Sequence, residues 1–170
     1  MSQQTALLMG EHPMEKSKGV DIEQRWKGAQ RHLGFTEEEL GIFRSNPANV
    51  RAMEDAPAFA TMEMVVEVVE AHNCAAGYRA GDKFTVDSEG MLVPECCPRR
   101  LCVGAIFSFK LLIDRMWQAF FDNSTQILHD TVHCPDVGVH KGGAGTVLMR
   151  IAATPKGEIK GEETGSGRRG

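Results

Sequence analysis

The sequence predicts an α+β domain in which a small mixed β-sheet packs on one long central helix, with short helices leading in. Three observations carry that expectation. Residues 22–53 are apolar at helical spacing, between recognisable start and stop signals. Residues 61–71, TMEMVVEVVEA, are valine-rich with interspersed glutamates, the composition of a strand with one wetter face. Pro98 then precedes an apolar helical pattern that runs to Phe121.

The elements follow in order. Ile22, Trp26, Ala29 and Leu33 form the first helical face, and Gly34 is a fitting C-terminal stop. TEEE reads as a capping box, with Thr36 as N-cap and Glu39 three residues on. Leu40 and Phe43 face inward from the short helix it opens. Asn46-Pro47 starts a third helical segment, with Pro47 at its favoured first position and Val50 and Met53 turned inward. Alternation in 61–71 is imperfect around Val65-Val66, so a helix stays open there. A turn near Gly77, a strand from Lys83 to Val86 and a turn at Ser88-Glu89-Gly90 come next.

In the long helix, roughly Arg99 to Phe121, apolar residues cover most of the circumference. Only a narrow strip through Lys110, Asp114 and Gln118 is polar, so packing on several sides is expected. A short strand near Ile127 to Val132, the turn CPD, a glycine-rich loop and a last strand, TVLMRIAA, complete the pattern. The domain spans residues 21–154, with a helical lead-in at 21–58 and a cysteine-bearing core at 61–152. Residues 1–20 and 155–170 are polar or glycine- and charge-rich and read as disordered tails.

A formal net charge of -4 over a near-even mix of signs leaves no basic footprint for nucleic acid. The run Ala6-Leu7-Leu8-Met9 is too short for a signal peptide or a membrane span, and Lys110, Asp114 and Arg115 interrupt the long helix too soon for one. A cytoplasmic chain without nucleic-acid or membrane partners is expected.

Five cysteines cannot all pair internally, and in a reducing compartment clustered cysteines point to metal or thiol chemistry before disulfides. Cys74, Cys97 and Cys134 each sit at a turn beside small or proline residues, in NCAAG, CCPRR and HCPD. Such turns let a backbone fold around an ion. Cys97, just before a proline-initiated helix, is expected at the positive end of the helix dipole, where thiolate is favoured. Cys102 lies on the helix and reads either as a further ligand or as a small buried hydrophobe. No C-x-x-C is present, so the zinc-ribbon and thioredoxin-type patterns are absent.

The segments CAAGYRAGDKF, CPRRLC and CPDVGVHKGGAGTVLMRI resemble those of a family of small bacterial proteins with no established activity. Its pattern is Cys-x-x-Gly-(His/Tyr)-x-x-Gly-Asp, then Cys-Pro before a helix, then Cys-Pro-Asp. The matching positions are Cys74, Gly77, Tyr78, Gly81, Asp82, Cys97, Pro98, Cys134, Pro135 and Asp136. LGFTEEELGIFRSNPANV resembles the lead-in of a longer branch often met in anaerobes, to whose pattern Cys102 belongs; Cys96 is peculiar to this chain. The resemblance covers roughly Leu33 to Ile151 and implies the fold and a cysteine set. Tyr78 stands where many relatives carry histidine, which weakens a ligand role at that position.

Other residues invite chemistry. His133 and His72 adjoin candidate ligands and are further metal candidates; His129 and His133 would share a face as helix or strand. Asp82 and Asp136 read as acceptors of backbone amides in their own turns, or as residues orienting a ligand. GVHKGGAGT fails the P-loop pattern and precedes a strand where a phosphate loop would follow one. The zinc-deaminase signature is absent.

The leading expectation is a protein binding zinc or an iron–sulfur cluster through Cys74, Cys97, Cys102 and Cys134, as an accessory or electron-transfer component of a larger anaerobic enzyme system. Two alternatives stay open: a small enzyme using the Cys97 thiolate or an open metal position, and an interaction module whose thiols only pack.

Overall fold

The computed structural model describes residues 21–157 apart from 123, 125 and 126. The expected tail at 1–20, and that at 155–170 beyond Gly157, lie outside the described residues.

The lead-in follows from its caps. Asp21 accepts the Glu23 N–H at the start of α1 (Ile22–Leu33), which ends on Gly34 at φ +74°. In α2 (Glu37–Ser45) the capping box forms in both directions: Thr36 Oγ1 accepts the Glu39 N–H, and the Glu39 carboxylate accepts the Thr36 N–H. Asn46 caps α3 (Pro47–Phe59). The buried ring of Trp26 lies edge-on to Phe43 with the Arg44 guanidinium 5.0 Å from its centre. Val50 and Met53 are only half-buried. At the end of α3, Phe59 packs on Trp117, Phe120 and Phe121, which joins the lead-in to the rest of the domain.

Four strands follow: β1 (Met62–His72), β2 (Lys83–Val86), β3 (Thr131–His133) and β4 (Thr146–Pro155), in the order β2-β1-β4-β3. The sheet is antiparallel throughout, not mixed. The longest helix among the described residues runs between β2 and β3, which are opposite edges, so no crossover brings two parallel strands side by side. β1 is central. Met64 to Val66 are buried on both faces, which is why the alternation breaks at Val65-Val66 while the segment is still a strand. β3 is shorter and later than expected, and Pro155 belongs to the last strand.

The long helix, α4 (Val103–Phe121), lays Ala105, Phe109, Leu112 and Met116 on Met64, Val66, Val68, Phe84, Met149 and Ile151. It differs from expectation in two ways. It starts at Val103 because the chain's single tyrosine pulls residues 98–102 away from helical geometry. The Tyr78 hydroxyl donates to the Arg100 carbonyl at 2.9 Å and accepts the Cys102 N–H at 2.7 Å. It is also packed on one side only. The sheet meets one face and the lead-in reaches only its C-terminal end, so Val103, Phe107 and Leu111 stay exposed despite being apolar.

At the sheet end formed by the C-terminus of β1 and the N-terminus of β4, Gly145 crosses the backbone so closely that a Cβ there would collide with the His72 and Asn73 carbonyl oxygens. Both obstacles are backbone and cannot swing aside. Gly145→Ala should therefore destabilise the domain by about 1–3 kcal/mol, read as a lower urea midpoint.

Candidate thiol site at one end of the sheet

The β1–β4 register fixes where the cysteines stand. Cys74 follows the last residue of β1, beyond Asn73, which takes a left-handed φ of +49°. Cys134 follows the last residue of β3; its N–H donates to the Val147 carbonyl at 2.9 Å, and its Sγ accepts the Val147 N–H at 3.3 Å. Val147 in turn pairs with Ala71. Cys102 is the N-cap of α4, and its Sγ and the Pro135 ring both abut the same side of Gly104. Three thiols, all half-buried and packed against the core, thus share one end of the molecule at the start of α4.

Cys97 does not join them. It follows a 3-10 turn (Pro94–Cys96) that runs along the outer edge of β2, and its thiol donates to the Thr85 carbonyl at 3.7 Å. Thr85 pairs with Val65 and Val147 with Ala71, six residues apart on β1, a separation of roughly 20 Å along the strand. The sulfurs of Cys97 and Cys134 are anchored to those two points. Sulfurs sharing one zinc lie within about 4 Å of each other, so Cys97 and Cys134 stand too far apart for a common ion. The expected thiolate at Cys97 is corrected as well. The helix begins at Val103, and burial pushes the Cys97 thiol up, with the neighbouring Cys96 and Glu95 adding to the effect, so it is protonated at neutral pH. Cys96 is half-buried, and its carbonyl accepts the Thr85 hydroxyl at 3.4 Å.

Among the described residues no three His, Cys, Asp or Glu side chains come close enough to hold one metal ion. Cys74, Cys102 and Cys134 share an end without forming a shell. His72 and His133 are exposed and pair in the sheet with Thr146 and Leu148, while His129 is exposed near Leu128. Asp82 accepts the Arg79 N–H at 2.9 Å within its own turn. Asp136 does more. Its carboxylate accepts the N–H groups of Gly138, Ala144 and Gly145 at 3.0–3.2 Å and so wraps the glycine-rich loop around itself. A Cβ at Gly143 would strike that carboxylate. These bonds hold the Asp136 carboxyl below the usual carboxylate range.

No family model, curated protein or solved structure matches the chain. The chemistry of this end must be read from its own residues. Sequence patterns missed Tyr78 as the clamp of the thiol end. Its ring is buried edge-on to Phe84, its hydroxyl holds the Arg100–Cys102 segment, and the thiols of Cys74 and Cys102 are among its electrostatic neighbours. Burial raises its own ionisation above the ordinary phenol value, so it remains a neutral hydrogen-bond donor.

Two outcomes follow. Tyr78→Phe leaves the Arg100 carbonyl and Cys102 N–H without their partner and should cost about 1–3 kcal/mol in denaturant unfolding, with far-UV circular dichroism little changed. For Asp136 the folded value is depressed, so its stabilising effect is complete above the unfolded aspartate value of about 4 and fades as pH falls through the lower folded value. Asp136→Asn should lower the urea midpoint at pH about 7 and flatten its decline below pH about 4 relative to the parent chain.

Proposed function

We propose that the chain is a cysteine-ligated zinc or iron–sulfur protein, with Cys74, Cys102 and Cys134 as its protein ligands, serving as an accessory or electron-transfer component of a larger anaerobic enzyme system. The observation that carries this reading is the gathering of three soft donors from three distant segments at one end of the sheet. Thiolates suit both zinc and iron–sulfur clusters, and a three-cysteine set leaves one position for an external ligand. The first turn of α4 supports it further: its N-cap makes no side-chain capping bond, so its amides and the positive end of its dipole can stabilise thiolates beside it. As the three sulfurs stand apart, loading requires the Cys74 turn and residues 98–102 to close inward. The anaerobic setting rests on the motif resemblance.

A second reading is favoured by that same separation: the thiols are inert packing groups of an interaction module. A nucleophilic Cys97 is disfavoured by its burial and by its bond to the Thr85 carbonyl.

Anaerobic reconstitution with zinc, and separately with ferrous iron and sulfide, distinguishes them by metal-to-protein ratio and visible absorbance. Cys74→Ser, Cys102→Ser and Cys134→Ser should each lower bound metal at least about tenfold, while Cys97→Ser loads like the parent. A parent chain that stays folded and takes up neither metal would establish the packing reading.

A further inference from the structure

Beside the contact at Phe59, a cleft of about 360 Å³ lies between α3, α4 and the turn at Ser88-Glu89. One wall is smooth: Ala52, Ala56 and Ala60 recur every fourth residue along α3 and its C-cap. The other is aromatic, with Trp117 and Phe121 one turn apart on α4. Phe59 joins the two, its ring centre 6.1 Å from that of Trp117 and 6.0 Å from that of Phe121. The Trp117 Nε1 is buried, and its side of the ring abuts Gly90, where a Cβ would come within 2.9 Å of the indole. The ring therefore meets the cleft with its π system and not through its N–H.

The polar lining has one sign of charge. Among the described residues, Ser88 and the exposed Glu89 are the polar side chains of the cleft, and none that lines it is basic. We propose that this cleft binds an organic cation, an alkylated ammonium carrying a short apolar arm. Aromatic rings attract a cation to their electron-rich faces, and the Glu89 carboxylate supplies the countercharge. An anion would meet that carboxylate with no positive group to offset it. A primary ammonium fits less well than a tertiary or quaternary one, because its three N–H donors would face rings and alanines that offer few acceptors.

Volume sets the size of the ligand. At about 30 Å³ per non-hydrogen atom, the share a water takes in the liquid, the cleft has room for about a dozen atoms. Tetramethylammonium alone would leave roughly half of it empty, so the arm lies along the alanine wall. Trp117 stands about 20 Å along α4 from Cys102, and the site is therefore independent of any metal at the thiol end.

Titration of the full chain with benzyltrimethylammonium tests it, reduced, with chelator present and at fixed ionic strength, read by the two indole N–H resonances in nitrogen–proton NMR spectra. The Trp117 resonance should move to saturation with dissociation in the high micromolar range, while that of Trp26 stays in place. The neutral near-isostere 2-methyl-1-phenyl-2-propanol should bind at least about tenfold more weakly. Glu89→Gln should weaken the cation about threefold. Ala56→Leu, which fills the cleft from α3, should weaken it at least about tenfold with unchanged circular dichroism. No saturable movement below about 5 mM overturns the proposal, as does an alcohol that binds as tightly as the cation or an Ala56→Leu variant that binds like the parent. Unchanged binding by Glu89→Gln overturns the role of the carboxylate.

Discussion

The pairing of β1 with β4 is the constraint on which the rest of the molecule depends. Ten residues of β4 align against β1 from Met62 to His72, and the two edge strands and the long helix take their positions from that ribbon. β2 attaches to one side and β3 to the other, while α4 lies across the apolar face through Phe109 and Leu112. The register also sets the chemistry. By pairing Ala71 with Val147 it brings the exits of β1 and β3 to a common end, and with them Cys74 and Cys134. By pairing Val65 with Thr85 it leaves Cys97 far down the sheet.

Much of the fold was legible because the deciding interactions are local. The Thr36–Glu39 box, the left-handed Gly34 and the Asn46-Pro47 start act within a turn of the chain, and each appears where the residues called for it. The readings that failed depended on partners distant in sequence. Pro98 is a sound helix opener in isolation, yet Tyr78, twenty residues away, binds Arg100 and Cys102 and moves the start of α4 to Val103. That shift exchanges two cysteines: the helix-start position expected of Cys97 belongs to Cys102.

The thiol end is organised by groups that are not thiols. Tyr78 fixes the approach to Cys102, and Asp136 gathers the loop that follows Cys134. Gly145 lets that loop return beneath the end of β1. Asp82 and Asp136 were legible as turn acceptors, because short acidic side chains reach amides two or three residues away; the reach of Asp136 to Ala144 and Gly145 was not, since it spans a loop whose path no local rule determines.

The way the helical lead-in is attached has a consequence for how the molecule opens. α1, α2 and α3 hold one another through Trp26, Phe43 and the Arg25 bonds to the Met53 and Glu54 carbonyls, and meet the long helix chiefly at the ring of Phe59. An attachment focused on one aromatic cluster lets a bundle swing off as a cooperative unit while the sheet stays closed. Amide protons of the lead-in would then trade with solvent deuterium well before those of the central strands.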